Sequence, residues 1–168
     1  EKATQTSFLN RIEELLISDI RLIILRCHSL KKSEFLDLAA MVDEMCSRRN
    51  STCMLNMPLA WLNAYPEANL HLSANRLMQC REKPQDLRGL LGASCHNKKE
   101  VSWANEMGID YMLLSPVAET PSHPKAESLG WQQFKEIATH ASMPVYALGG
   151  LDRDDLDIAI TNGAQGVA

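Results

Sequence analysis

Short, uninterrupted apolar runs that spill into small polar loops constrain this chain more than any other feature. Two are clearest: DYMLLS at 110–115, which runs on into PVAETPSHP, and PVYAL at 144–148, which runs into Gly149, Gly150 and Asp152. An apolar run of this length without alternation fits a strand buried on both faces, as in a parallel sheet. Parallel neighbours need crossover connections, and the residues between these runs read as helices. Apolar spacing at Phe8, Leu9, Ile12, Leu15 and Leu16 predicts a helix behind a Ser7 cap. A strand RLIILR at 21–26 follows, then a helix capped at Ser33 with the stripe Phe35, Leu36, Leu38, Ala39, Val42, Met45 and Cys46. Further strands are expected at 52–56, 69–73 and 90–95, with a brief helix near 59–64 and a polar helix and turn over 74–88. Helices over 97–107, ending at Gly108, over 131–141 and over about 152–162 complete the alternation before QGVA starts another strand.

Seven strand starts, each beside helical sequence, favour a (β/α)8 TIM barrel; an open doubly wound sheet remains the alternative. The chain opens on a helix and stops inside a strand. The expectation is therefore one domain over residues 1–168, lacking the first strand and the end of the last, and cut from a longer protein.

Composition narrows the function classes. The net charge is −4 and the basic residues are scattered, Arg48–Arg49 being the one local excess, which argues against nucleic acid. No apolar run reaches a membrane span. Five cysteines are an odd number; Cys27, Cys53 and Cys95 fall in strand-like runs, where a free thiol is a small buried hydrophobe. A reduced, cytoplasmic protein fits this usage.

Two loops could carry chemistry. Gly149–Gly150 joins a strand to a helix, the place where backbone N–H groups approach a phosphate closely; a tight turn needing positive φ is the other reading. Asp152, Asp154 and Asp155 behind it read as caps. The loop 116–129 is too long for a mere connector, and its Thr120, Ser122 and His123 could all donate to a phosphate. Arg26 ends an apolar strand and could clamp an anion. His28, His71, His96 and His123 fall at or near strand ends, but their spacing matches no zinc pattern, and no metal site is assigned.

LLGASCHNKKEVSWANEMGIDYMLLSPVAETPSHP, together with LGWQQFKEIA, PVYALGG and GAQGVA, resembles the thiamine-phosphate synthase/TenI superfamily, which is a (β/α)8 barrel. RLIILRCHSL, CMLN and NLHLS are similar to its earlier segments. The resemblance implies that Arg26 and Asn56 meet a pyrophosphate, that Ser94 lines the site, and that Thr120, Ser122, Gly149 and Gly150 grip a thiazole phosphate. It also marks departures. The pyrophosphate lysine is His28, and the glutamine before it is Ile24. The two magnesium carboxylates fall on Met57 and Arg76, the lysine of the phosphate loop on His123, and the TenI tautomerase histidine on Pro116.

The implied function is a TenI-like domain that binds a phosphorylated thiazole or another thiamine precursor, with degenerate synthase chemistry. His123, or else His28, would be the acid/base if a proton is moved. An active synthase joining a pyrimidine pyrophosphate to thiazole phosphate is the alternative, and only that reading calls for Mg²⁺; otherwise no cofactor is expected. A non-catalytic partner-binding barrel is the third. The style of 90–150 is similar to barrels fused behind a Nudix (MutT-type) hydrolase. Besides the phosphorylated small molecule, the partners this reading allows are a fused Nudix domain and a second copy in a homodimer.

Overall fold

The computed structural model describes residues 2–18, 20–120 and 127–168. Strand and helix alternate along the chain: α1 (Lys2–Ile17), β1 (Leu22–Leu25), α2 (Lys32–Ser47), β2 (Thr52–Leu55), β3 (Asn69–Leu72) and α3 (Ala74–Gln79). Then come β4 (Leu91–Cys95), α4 (Lys98–Met107), β5 (Tyr111–Leu114), α5 (Gly130–Ala138), β6 (Val145–Ala147), α6 (Leu156–Thr161) and β7 (Gly166–Val167). Single 3-10 segments lie at Leu59–Ala64 and Arg153–Asp155. The chain forms two compact units, the first from residues 1–71 and 86–89, the second from 72–85 and 90–168.

In the first unit β1 pairs with β2, and β2 with β3, all in parallel, with Ile24 beside Met54 and Leu55 beside Leu70. Helix α2 covers β2 with the stripe its spacing predicts: Phe35, Leu38, Ala39, Val42 and Cys46 are buried. The predicted Ser33 cap is wrong by two residues. The N-cap is Lys31, because Glu34, three residues on, reaches back and takes the Lys31 N–H at 2.9 Å. Helix α1 also begins earlier than expected, so Ser7 lies inside it and caps nothing. Its early residues Lys2, Ala3 and Gln5 are tolerant helix formers that extend it upstream. Ile12 and Leu16 are buried while Phe8 is exposed, so that stripe buries its second half only.

In the second unit β4, β5, β6 and β7 pair in sequence order, again all parallel. Large and small residues complement each other across them. Gly92 faces Tyr111 in the register, and a Cβ on Gly92 would land on the Tyr111 ring. Tyr111 and Tyr146 meet edge to face at 6.1 Å, and Gly166 lies opposite Tyr146. Burial, then Tyr146, pushes the Tyr111 hydroxyl well above its usual pKa, so it stays neutral. Helix α4 starts where the sequence places it. The Asn97 side chain accepts the Glu100 N–H at 3.0 Å, and Gly108 ends the helix at φ 60. Trp103 donates its indole N–H to the Leu77 and Cys80 carbonyls that close α3.

All five cysteines are free thiols. Cys53 and Cys95 are buried on β2 and β4, whereas Cys27 lies past the end of β1 and is half-buried, not a strand residue. No helix among the described residues is long and apolar enough to cross a membrane.

Candidate functional site

The carboxyl ends of the parallel strands carry the polar residues in both units, and each unit builds its own group. In the first, Arg26 follows β1 directly and donates its Nε–H to Nε2 of His28 at 2.7 Å. That nitrogen is the acceptor, so the imidazole is neutral with its hydrogen on Nδ1. A protonated His28 could not hold this bond. His28 therefore stands as a spacer for the guanidinium more readily than as an acid/base through Nε2.

Asn56 follows β2 and is buried, its backbone N–H donating to Leu25 at 2.9 Å. His71 sits in β3 at 2% exposure. Burial, and secondarily the charge of Arg26, pushes its pKa down to about 4, so it is neutral around pH 7. Beside Asn56, Met57 is 1% exposed and packs into the core.

The second unit builds its group mainly from backbone. The Ser115–Pro116 bond is cis, and the chain beyond it runs along the β6 end. Val117 donates to Leu148 at 3.0 Å and Ala118 to Gly149 at 2.9 Å. Leu129 and Gly130 donate in turn to Pro116 and Val117, so this stretch is fastened on both sides. Gly149 and Gly150 have φ of 100° and 68°. A Cβ on Gly149 would lie 2.8 Å from the Cβ of Pro116, and one on Gly150 would run into the Glu119 carbonyl oxygen. The pair makes a tight turn at positive φ, and close approach to 116–119 adds a second requirement for glycine. Asp152 and Asp155 act as expected of caps: Asp152 accepts the Asp154 N–H at 2.8 Å, and Asp155 accepts the Asp152 N–H at 2.9 Å. Two N–H groups of that turn are already satisfied by carboxylates.

Thr120 lies half-buried just past this stretch, and Ser94 is half-buried in β4. Ser122 and His123 lie outside the described residues. One histidine noted at a strand end, but given no role there, is prominent here. His96, next after β4, places Nδ1 2.7 Å from the Ser115 carbonyl oxygen and 3.3 Å from its hydroxyl. The signal was a histidine between an apolar strand and an Asn helix cap, but its partner is remote in sequence.

Among the described residues no three His, Cys, Asp or Glu side chains converge as a metal ion would require. At the positions that the resemblance links to magnesium stand the core thioether of Met57 and the guanidinium of Arg76 on α3. Neither supplies the hard oxygen donors that Mg²⁺ takes, so these residues do not fit that ion.

Comparison with known proteins gives a consistent picture. A profile of the thiamine monophosphate synthase family matches residues 1–168. The chain is 29% identical over 162 residues to a "Putative thiamine-phosphate synthase 2" of Aquifex aeolicus, covering 96% of this chain and 87% of that one. It is 27% identical over 163 residues to a thiamine-phosphate synthase of Prochlorococcus marinus, of which it spans 46%. Among solved structures, a thiamine phosphate pyrophosphorylase from Pyrococcus furiosus superposes with a TM-score of 0.75 at 18% identity, covering 94% of this chain and 76% of that one. That likeness is one of fold: a TIM-barrel-like α/β arrangement of parallel strands, as the sequence reading preferred over a doubly wound sheet.

Proposed function

The chain belongs to the thiamine monophosphate synthase family, and from that premise we propose that it binds a phosphorylated thiazole or a closely related thiamine precursor, within thiamine biosynthesis or salvage. One observation carries the reading. The end of β6 and the stretch 116–119 bring Gly149 and Gly150, in a conformation other residues avoid, against a doubly fastened backbone that leads to Thr120. Such a border offers N–H and hydroxyl donors without side-chain bulk, which is what a phosphate monoester needs. Ser122 and His123 extend this proposal along the same loop.

Synthase chemistry must neutralise a departing pyrophosphate, and Met57 and Arg76 supply no metal ligand for that task. We therefore take the synthase half of the site as degenerate. An active synthase remains the second reading, favoured by Arg26 and Asn56 at the ends of β1 and β2 and by the names of the relatives. A fused Nudix domain is a further part of the proposal, supported by the likeness of the ASCH and SHP stretches to such fusions; the coding sequence upstream of Glu1 tests it.

Calorimetry separates the readings. Thiazole phosphate is expected to bind more tightly than inorganic phosphate. Binding of neither would sink the ligand reading and leave a partner-binding domain. Formation of thiamine phosphate from thiazole phosphate and the pyrimidine pyrophosphate with Mg²⁺, lost on Arg26→Ala, would establish the synthase instead.

A further inference from the structure

We propose that His28 is a positioning residue: it holds the Arg26 guanidinium as a metal-free receptor for a single carboxylate at the strand ends of the first unit. The glycine pair belongs to the second unit, so this proposal does not rest on the thiazole-phosphate reading.

Arginine carries its N–H donors in a rigid, planar fork. In Arg26 the donor on Nε is spent on Nε2 of His28 at 2.7 Å. That bond closes the side-on edge of the guanidinium. The end-on edge stays open, where the two Nη groups stand side by side, and among the described residues no partner occupies them. Two parallel N–H groups meet two oxygens of one anion. The imidazole therefore selects which edge of the guanidinium a ligand can use.

The location is also defined. Leu25 pairs with Leu55, so Arg26 and Asn56 leave neighbouring strands at the same level. Burial first, and then the charge of Arg26, lowers the pKa of His71 on β3. The guanidinium thus stands within electrostatic reach of β3 as well as at the end of β1, while its side chain stays exposed to a ligand.

Charge decides the class of anion. His28 accepts at Nε2 and is neutral, and His71 is neutral around pH 7. Met57 is a core thioether and offers no oxygen to a bridging cation. Lys31 and Lys32, at the start of α2, are exposed, and solvent and salt screen their charge. One fixed positive charge remains, on a chain whose net charge is −4. A carboxylate matches it with one negative charge and two oxygens. A diphosphate brings further charge that this chain repels.

The test follows the arginine side-chain resonances of the whole chain, labelled with nitrogen-15, during titration with sodium acetate. Sodium chloride and inorganic diphosphate, with and without Mg²⁺, are compared at matched ionic strength. Acetate is expected to move the Arg26 Nη resonances to saturation while Nε–H stays on His28, with diphosphate bound no more tightly. No response to acetate at Arg26, an equal response to chloride, a displaced Nε–H, or diphosphate tighter by about tenfold overturns the proposal. These readings come from the wild type and do not depend on a variant folding. His28→Leu removes the acceptor and is expected to weaken acetate about 10-fold, whereas His28→Gln, whose amide oxygen accepts from Nε, recovers most of the loss. Equal affinities of wild type and His28→Leu refute the positioning role, as does a His28→Gln no better than His28→Leu. His28→Lys adds a second cation and should turn the preference toward diphosphate; an unchanged preference refutes the charge argument.

Discussion

At the strand ends of the first unit the functional groups are side chains: the guanidinium of Arg26, the imidazoles of His28 and His71, and the amide of Asn56. At the strand ends of the second unit they are mostly backbone: the stretch beyond Ser115–Pro116, the two left-handed glycines, and one imidazole oriented by a carbonyl. The difference bears on how each region fails. A side chain can be removed while the fold survives, so the first region can lose its chemistry through a substitution such as Met57. A border made of backbone cannot be edited one group at a time, because its shape is also the packing of β6 against the loop after β5.

Substitution at Gly150 is the strongest way to break this contrast. Gly150→Ala adds a positive-φ strain to a clash with the Glu119 carbonyl and is expected to cost about 3 kcal/mol or more, read by urea denaturation. A loss under about 1 kcal/mol would mean the loop yields and the border is soft.

Acid titration ranks next and probes the first unit. The pKa of His71 is pushed down to about 4 when folded, against the ordinary histidine value of 6.5. The unfolded chain therefore binds a proton that the folded chain refuses. The stability at stake is fully present above pH 6.5 and is lost as pH falls from there toward 4, on the order of 3 kcal/mol in all. His71→Gln should show a flatter pH dependence over that window; identical curves would mean that His71 is not buried neutral.

Arg26→Gln gives a smaller effect with an informative sign. Removing the charge should raise the His71 pKa, followed by NMR, but leave it below the ordinary histidine value because burial is the larger cause. Tyr65→Phe is the mildest and serves as a reference for side-chain-built contacts. It deletes one hydrogen bond, 3.0 Å to Asp43, and should cost about 1 kcal/mol in denaturant midpoint.

Legibility followed the range of the interactions. The extent of α4 was readable because Asn97 and Gly108 act on their own helix ends, and the α2 stripe because periodicity selects the buried face. The start of α2 was misread because a lysine is an unusual cap; the glutamate three residues on, not the serine, marks it. Gly149–Gly150 was readable as a special turn, but its tightness comes from Pro116 and Glu119, more than thirty residues away. The pairing of His28 with Arg26, two residues before it, was not readable, because it depends on how the chain turns after β1.

The sequence by itself determined the alternation of parallel strand and helix, the family, and the placing of polar residues after apolar strands. Those follow from local periodicity, caps and motif spacing, which need no knowledge of the partner strand. Only the tertiary structure decided which nitrogen of His96 carries the hydrogen, that His71 is buried, and that the glycine pair abuts the loop after β5. Each depends on a group brought close by parallel pairing, where neighbouring strands are separated by a whole crossover helix and sequence distance carries no trace of the contact.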